Sequence, residues 1–182
     1  MATKTLLTVE EFMRLPESVG ERDVRYELVE GELIEMSPAM LRHNLVRDRA
    51  LVSLKVAVDK GNLGTVVSEQ PFHLFGTTVR VPDVAFVRRG RELPLDRLPQ
   101  GAPDLVVEVV SPSNTPREIE QRISDYFAGG CKRVWVFHPE HREVYIHGLA
   151  GVTRRKAEEM LEDAELLPGF SAKVSEFFVE ND

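Results

Sequence analysis

Two acidic residues of the sequence lie inside strongly apolar segments, where an ionised side chain is costly to bury. Glu108 is in the middle of LVVEVV (105–110), and Asp83 is in VPDVAFV (81–87). Apolar residues occupy alternate positions of both parities in LVVEVV, which predicts a strand that is buried on both faces. An unpaired carboxylate there costs on the order of several kcal/mol, so it must be paired, protonated or bound to a cation. We therefore predict that Asp83 and Glu108 hold one divalent ion, and hard carboxylate oxygens favour Mg²⁺ or Mn²⁺.

A basic residue lies on the predicted core face of the helix that follows Glu108. Ile119, Ile123 and Tyr126 recur at helical spacing and mark the inward face, and Arg122 falls within this stripe. Arg122 could therefore reach the same carboxylates, or its stem could pack while its head reaches water. Structural alternatives also stay open for the acids, because each could lie at a strand end in a salt bridge. One such alternative is a buried Glu108–Arg122 ion pair without a metal.

Capping signals and hydrophobic periodicity predict the elements that must position these residues. Helices are predicted from the capping box at Thr8 to just before Pro16, over 39–60 with Gly61 ending the helix, from the capping box at Thr115 to Ala128, and from Ser175 onward. Strands are predicted at 64–69, 72–75, 79–87, 104–111, 133–138 and 143–147, and a β-hairpin around Gly31 over 24–36. This order predicts an α/β fold of the α+β kind, a mixed sheet with flanking helices.

Composition limits the class of protein. A chain of 182 residues with 42% hydrophobic residues is expected to form one domain, 1–182, with a hydrophobic core that needs no disulfide or metal to stabilise it. A single cysteine, Cys131, forms no intrachain disulfide, and the N-terminus lacks the apolar run of a signal peptide. No window reaches the roughly 18 apolar residues of a membrane span. We expect a cytoplasmic protein with no membrane partner.

The charge balance and one arginine-rich loop give opposite indications about nucleic acid. The formal net charge of −7 argues against DNA as a partner, because DNA-binding surfaces tend to be basic. A local basic patch can coexist with an acidic remainder. Arg88, Arg89 and Arg91 in the loop 88–101 are candidates for contacts with the nucleic-acid backbone, and a solvated loop is the alternative.

Other reactive side chains carry weaker signals. His138, His141 and His147 fit no common zinc spacing, and no cysteine pairs with them. Ser111 and Ser113 lack the G-x-S-x-G pattern of a hydrolase nucleophile. Cys131 follows two glycines and is interpreted as a small packed residue.

In its ordered set of motifs the sequence resembles the Uma-type restriction endonucleases of the PD-(D/E)XK nuclease superfamily. The likeness runs through RYELVEGEL, a helix with His43, VPDVAFV, GAPDLVVEVVSPSN, the helix ending in DYFAGG, and KRVWVFHP. No single motif is specific, whereas their order and spacing together are. The resemblance covers nearly the whole chain.

The resemblance implies a restriction-endonuclease-like core with a metal held by Asp83 and Glu108. It also implies that Glu27 joins or supports the acidic cluster, and it places a histidine at the position of His43. We interpret His43 as a candidate for contact with nucleic acid, and a packed or surface histidine is the alternative. The family's catalytic lysine, which has moved to the following helix, corresponds here to Arg122. An arginine stays charged in proteins, so Arg122 could orient a phosphate or stabilise negative charge but could not act as general base.

Two functional hypotheses follow. In the first, the protein is a Mg²⁺- or Mn²⁺-dependent endonuclease that hydrolyses phosphodiester bonds in DNA, with Asp83, Glu108, Arg122 and Glu27 as catalytic residues. In the second, it is a catalytically weakened or inactive nuclease-fold protein that acts as a binding or regulatory module. A homodimer is one possible form of either.

Overall fold

The computed structural model describes residues 6–16, 18–19 and 22–179. Within that part of the chain the α-helices are α1 (Val9–Phe12), α2 (Leu41–Gly61) and α3 (Pro116–Ala128), with a 3₁₀ turn at Val174–Phe177. The strands are β1 (Ser18–Val19), β2 (Arg22–Asp23), β3 (Tyr26–Val29), β4 (Glu32–Glu35), β5 (Gly64–Ser68), β6 (Phe72–Phe75), β7 (Thr78–Arg80), β8 (Val84–Arg88), β9 (Leu105–Val109), β10 (Arg133–His138), β11 (Glu143–Gly148), β12 (Gly151–Lys156), β13 (Met160–Glu162) and β14 (Ser171–Lys173). Among these helices none is long and apolar enough to cross a bilayer.

The larger sheet has six strands in the order β12-β11-β10-β9-β8-β5. β9 and β10 pair in parallel, and all the other neighbours pair antiparallel. α3 connects β9 to β10, because a parallel pair needs a crossover of this length. α2 and α3 cover opposite faces, since Leu54 of α2 shares a core cluster with Val107 and Tyr126 of α3 shares one with Val106. All five residues of β9 are buried, as predicted.

A second sheet contains four strands in the order β4-β3-β7-β6. The predicted hairpin over 24–36 supplies β3 and β4. The prediction of one strand over 79–87 is wrong, because β7 ends at Arg80 in this sheet and β8 begins at Val84 in the larger one. Pro82 separates them: it has no N–H to donate to a ladder, which makes it unsuited to the interior of a strand. Asp83 therefore lies at the junction of two sheets and not within a strand.

α2 departs slightly from its predicted bounds. The helix begins at Leu41 with Met40 as its N-cap, and Asn62, at φ 51°, adopts the left-handed conformation after its last turn. Asparagine tolerates this conformation, so the helix continues through Gly61 where the sequence predicts its end. Both predicted capping boxes, at Thr8 and Thr115, are present. The mixed α/β fold with flanking helices is confirmed.

The pairing of β5 with β8 requires a glycine at position 64. A Cβ atom on Gly64 would lie 2.1 Å from the carbonyl oxygen of Val87. We expect Gly64→Ala to lower the free energy of unfolding by about 3 kcal/mol, because the strands must separate to admit the methyl group. Gly76→Ala is the matched control: Gly76 has φ 47°, and a Cβ added there would meet no atom outside its chain neighbours within 4 Å, so only about 1 kcal/mol of backbone strain is expected. Urea denaturation of both variants measures the difference, and equal losses would contradict the steric argument.

Candidate metal site

Asp83 is held at the junction by two other elements. Its Oδ2 accepts a hydrogen bond of 2.7 Å from the backbone N–H of Val109, at the end of β9. The same oxygen lies 3.2 Å from Nε2 of His43 on α2. Because Val84 pairs with Val107 in antiparallel register, Asp83 lies beside Glu108 on the neighbouring strand. The two acids predicted as metal ligands are therefore brought together.

Glu108 points from β9 towards α3, on the same face as Val106. Its Oε1 accepts hydrogen bonds from Nη2 of Arg122 at 3.0 Å and from the hydroxyl of Tyr126 at 2.5 Å. Burial raises the pKa of Glu108 to about 7, although the adjacent Arg122 opposes the shift; the charge of Asp83 raises it further. One guanidinium therefore does not fully compensate the carboxylate, and a further cation would favour its ionised form.

Glu27 lies behind Glu108 and binds two arginines at once. Its Oε2 accepts hydrogen bonds from Arg80 at 2.7 Å and from Arg122 at 2.5 Å, and its Oε1 accepts one of 2.7 Å from Val81 N–H. The side chain is only 1% exposed. Both of its oxygens are thus engaged, so Glu27 supports the acidic cluster by holding the arginines in place.

Arg122 reaches Glu108, as the helical stripe allowed, but its second carboxylate partner is Glu27 and not Asp83. The alternative in which its head reaches water is not observed. Besides Glu27 and Glu108, it donates to the carbonyl oxygen of Val81 at 3.1 Å. Burial alone would lower the pKa of Arg122, but the charges of Glu108 and Glu27 hold it well above its ordinary value. Its Nη atoms bond protein groups, and its buried Nε has no partner among the described residues. Arg122 is therefore a permanent positive charge that orients Glu108.

Arg80 and Asp125 extend this network, and neither was identified from the sequence. Two nitrogens of Arg80 donate to Oδ2 of Asp125, at 2.9 and 2.6 Å. Gln121 donates to the other oxygen of Asp125 at 2.8 Å. Arg80 could have been noticed because it directly precedes the apolar VPDVAFV segment, as a charge in the same improbable setting as Glu108.

Glu69 also positions Asp83 and was not identified from the sequence. Its backbone N–H lies 3.2 Å from the carbonyl oxygens of both Pro82 and Asp83, with Glu69 itself in the left-handed region at φ 52°. Its carboxylate pairs with Arg25 and, at 2.8 Å, with Arg47. Arg47 lies one turn after His43, so α2 holds the Asp83 junction both directly and through Glu69.

The donor atoms fit a hard divalent cation. Oδ1 of Asp83 and Oε2 of Glu108 accept no hydrogen bond from any described residue, since the bonds to these two carboxylates use Oδ2 and Oε1. The Glu108–Arg122 ion pair thus leaves one oxygen of Glu108 available for a metal. Within residues 6–16, 18–19 and 22–179 there is no group of three His, Cys, Asp or Glu side chains arranged around one metal position. Two carboxylates suit Mg²⁺, which usually keeps several waters, better than Zn²⁺.

The net negative charge of these groups also favours a bound cation. Three carboxylates, those of Glu27, Glu108 and Asp125, bind the guanidinium groups of Arg80 and Arg122. A fourth, that of Asp83, contacts His43 instead. With the four carboxylates and two guanidinium groups ionised, their formal charge is −2. Burial opposes a charge on His43, but its contact with Asp83 raises the pKa of His43, and a protonated His43 would offset one of these negative charges. The cluster is net negative in either case, which favours a bound cation.

The remaining candidates lie outside this cluster. Arg88 and Arg91 bind the carboxylate of Asp104, at 3.0 and 3.4 Å, and Arg91 also donates to the carbonyl oxygen of Ala102 at 2.6 Å. Arg88 and Arg91 therefore stabilise the loop by binding the segment just before β9, while Arg89 is exposed to solvent. Contacts of these arginines with nucleic acid remain a prediction.

Residues with weaker signals have structural surroundings. The three histidines His138, His141 and His147 are not arranged as metal ligands among the described residues. Cys131 is buried, and burial raises the pKa of its thiol to about 12, which suits a packed residue and not a nucleophile.

The arginine network predicts a large stability effect at Glu27. We expect Glu27→Gln to lower the free energy of unfolding by about 3 kcal/mol, because two buried guanidinium groups lose a shared counter-charge. Glu92→Gln is the control: its ion pair with Arg97 is exposed, so its removal should change stability little. Urea denaturation checks both, and similar small changes would mean that the network contributes no such energy.

Comparison with known proteins supports this fold. The Uma2 family model, described as "Putative restriction endonuclease", matches residues 9–175. No curated protein matches the chain. A solved structure described as a putative nuclease belonging to DUF820, from Anabaena variabilis ATCC 29413, is similar with a TM-score of 0.82 and 17% identity over 94% of this chain and 97% of that chain. At this identity the likeness shows the fold alone. Because the family model covers most of the sequence, the resemblance is confirmed, and the chain belongs to the Uma2 family of putative restriction endonucleases.

Proposed function

We propose that this protein is an endonuclease that hydrolyses phosphodiester bonds in DNA with the help of Mg²⁺ or Mn²⁺. One observation carries the proposal: Asp83 and Glu108 lie side by side, each with one oxygen free of hydrogen bonds from the described residues. Family membership supports the reaction class. DNA as the substrate and the identity of the metal are parts of the proposal.

Asp83 and Glu108 would hold the ion, and the surrounding residues would keep them in place. A bound divalent cation supplies Lewis acidity towards a phosphoryl oxygen. Val109 N–H and His43 fix Oδ2 of Asp83, so its Oδ1 keeps a defined direction. Arg122 and Tyr126 do the same for Oε1 of Glu108. Hydrogen bonds that orient metal ligands in this way are characteristic of metal sites that act in catalysis.

Arg122 would act through position and charge. Its guanidinium contributes a fixed positive field next to the acids without exchanging a proton. Its hydrogen bonds to Glu27, Glu108 and Val81 keep both Nη atoms on protein groups, so orientation of Glu108 is its principal role in this proposal. The proton of the attacking water would therefore have to leave by another route.

The hydrogen bonding of Arg122 favours a second candidate function. An arginine occupies the position of the family's lysine, and its hydrogen bonds go to the protein. A binding or regulatory module with the nuclease fold needs no proton acceptor there. Metal binding alone does not separate the two candidates, whereas cleavage does.

We expect the purified protein to nick supercoiled plasmid DNA with Mg²⁺ or Mn²⁺, and Asp83→Asn and Glu108→Gln each to lower the rate at least about hundredfold. Both variants keep side-chain size and remove one ligand charge. Glu120→Gln is the control, because Glu120 is an exposed acid on α3, two residues before Arg122. Calorimetric titration with Mn²⁺ should show binding that both site variants abolish.

Two outcomes would exclude the nuclease proposal. One is the absence of cleavage of double-stranded, single-stranded and branched DNA with either metal. The other is cleavage that persists in both site variants, which would indicate a contaminating nuclease. A silent wild type whose Arg122→Lys variant cleaves DNA would establish the second candidate, a nuclease site that has lost its proton acceptor.

A further inference from the structure

α2 carries an apolar stripe on its outer face. Leu41, Leu45, Val52 and Val56 are 72%, 37%, 61% and 63% exposed. Their spacing places them on one side of the helix. The core-facing residues of α2 are on the opposite side: Val46, Ala50, Leu54 and Val58. An exposed apolar stripe of this kind is typical of a surface that binds another molecule.

The stripe is symmetric about its own midpoint. This midpoint lies between Asp48 and Arg49, two exposed residues of opposite charge. Residues at equal distances from it are complementary. Leu41 is paired with Val56 and Leu45 with Val52, both apolar pairs, and the acidic Asp48 is paired with the basic Arg49. In two antiparallel copies of one helix related by a two-fold axis, these are the residues that face each other.

We propose that α2 forms an antiparallel helix–helix interface between two copies of this chain. Apolar residues then meet apolar residues, and Asp48 of each copy meets Arg49 of the other. A parallel arrangement would instead oppose Asp48 to Asp48, which is unfavourable. A pair of charges in an otherwise apolar seam thereby selects both orientation and register.

Both charged groups have capacity for this contact. Only Oδ1 of Asp48 is bound, by Arg47, and its Oδ2 accepts nothing from the described residues. Arg49 uses Nη1 for the carbonyl oxygen of Phe178, at 2.6 Å, and also has a weaker contact from that nitrogen to Glu176. A depression of about 390 Å³, lined in part by Leu45, Val52 and Phe177, lies beside the stripe and can receive side chains of the second copy.

The dimension of the stripe predicts a weak dimer. From Leu41 to Val56 it extends about 22 Å along the helix axis, at roughly 1.5 Å per residue. An interface built mainly on one such helix pair lies at the small end of the size range, so dimerisation should depend on concentration. His43 lies on the inner side of α2, against Asp83, and the interface would leave the metal site open. This inference does not depend on the proposed function.

Sedimentation equilibrium over a concentration series tests the interface. We expect the wild type to be in reversible monomer–dimer equilibrium, and Leu45→Glu and Val52→Glu each to raise the dimer Kd at least about tenfold, because each change occurs twice per dimer. Leu149→Glu is the control, since Leu149 is 85% exposed but lies in the turn between β11 and β12. Circular dichroism verifies that each variant is folded.

A charge exchange tests the register. Asp48→Arg and Arg49→Asp should each weaken self-association, while an equimolar mixture of the two variants should form a heterodimer in which both charge pairs are restored. Arg49 also holds Phe178, so a misfolded Arg49→Asp variant would be replaced by a salt titration of Asp48→Arg, whose repulsion with Arg49 should decrease as salt increases.

Three results would overturn the proposal. The first is a wild type that stays monomeric at all concentrations, including one that binds a different protein through this stripe. The second is a dimer that Leu45→Glu and Val52→Glu leave intact. The third is a dimer that needs the apolar stripe but shows neither restoration in the mixture nor the expected salt dependence of Asp48→Arg.

Discussion

The carboxylate of Glu27 joins Arg80 and Arg122 in the interior, and the candidate site depends on this interaction. Glu27 and Arg80 belong to the smaller sheet, whereas Arg122 belongs to the helix that crosses the larger one. Their hydrogen bonds therefore tie the two sheets and α3 together. Burying two guanidinium groups is unfavourable unless nearby carboxylates compensate them. Glu108 and Asp125 complete that compensation, and in return Arg122 fixes the orientation of the Glu108 carboxylate.

The break at Pro82 is the second constraint. A continuous strand from 79 to 87 would place its side chains alternately on the two faces of one sheet. The break instead sends the chain from one sheet to the other and leaves Asp83 at their junction, beside Glu108. Glu69 and Val109 hold this junction by backbone N–H groups, which bind the Asp83 region without adding charge. The position of Asp83 is thus fixed because an irregular segment is hydrogen-bonded to β9 and to the residue that follows β5.

α2 serves two surfaces with different chemistry. Its inner side supplies His43 and Arg47 to the Asp83 junction and four apolar residues to the core. Its outer side exposes the apolar stripe with Asp48 and Arg49 at its centre. A helix that is apolar on two opposite sides has little amphipathic character, so periodicity alone does not show which side faces the core. The buried positions become evident only from contact with the larger sheet.

The sequence by itself determined the local features: both capping boxes, the first hairpin, the doubly buried strand around Glu108 and the inward direction of Arg122. These depend on neighbours within a few residues, whose spacing is visible in the chain. It also identified Asp83 and Glu108, because a charge in an apolar segment is costly and therefore conspicuous. Only the tertiary structure decided what compensates them. Arg80 meets Asp125 from 45 positions away, and Glu27 meets Arg122 from 95. Such pairings depend on how two sheets and a helix pack, and a linear pattern contains no signal for the distance between them.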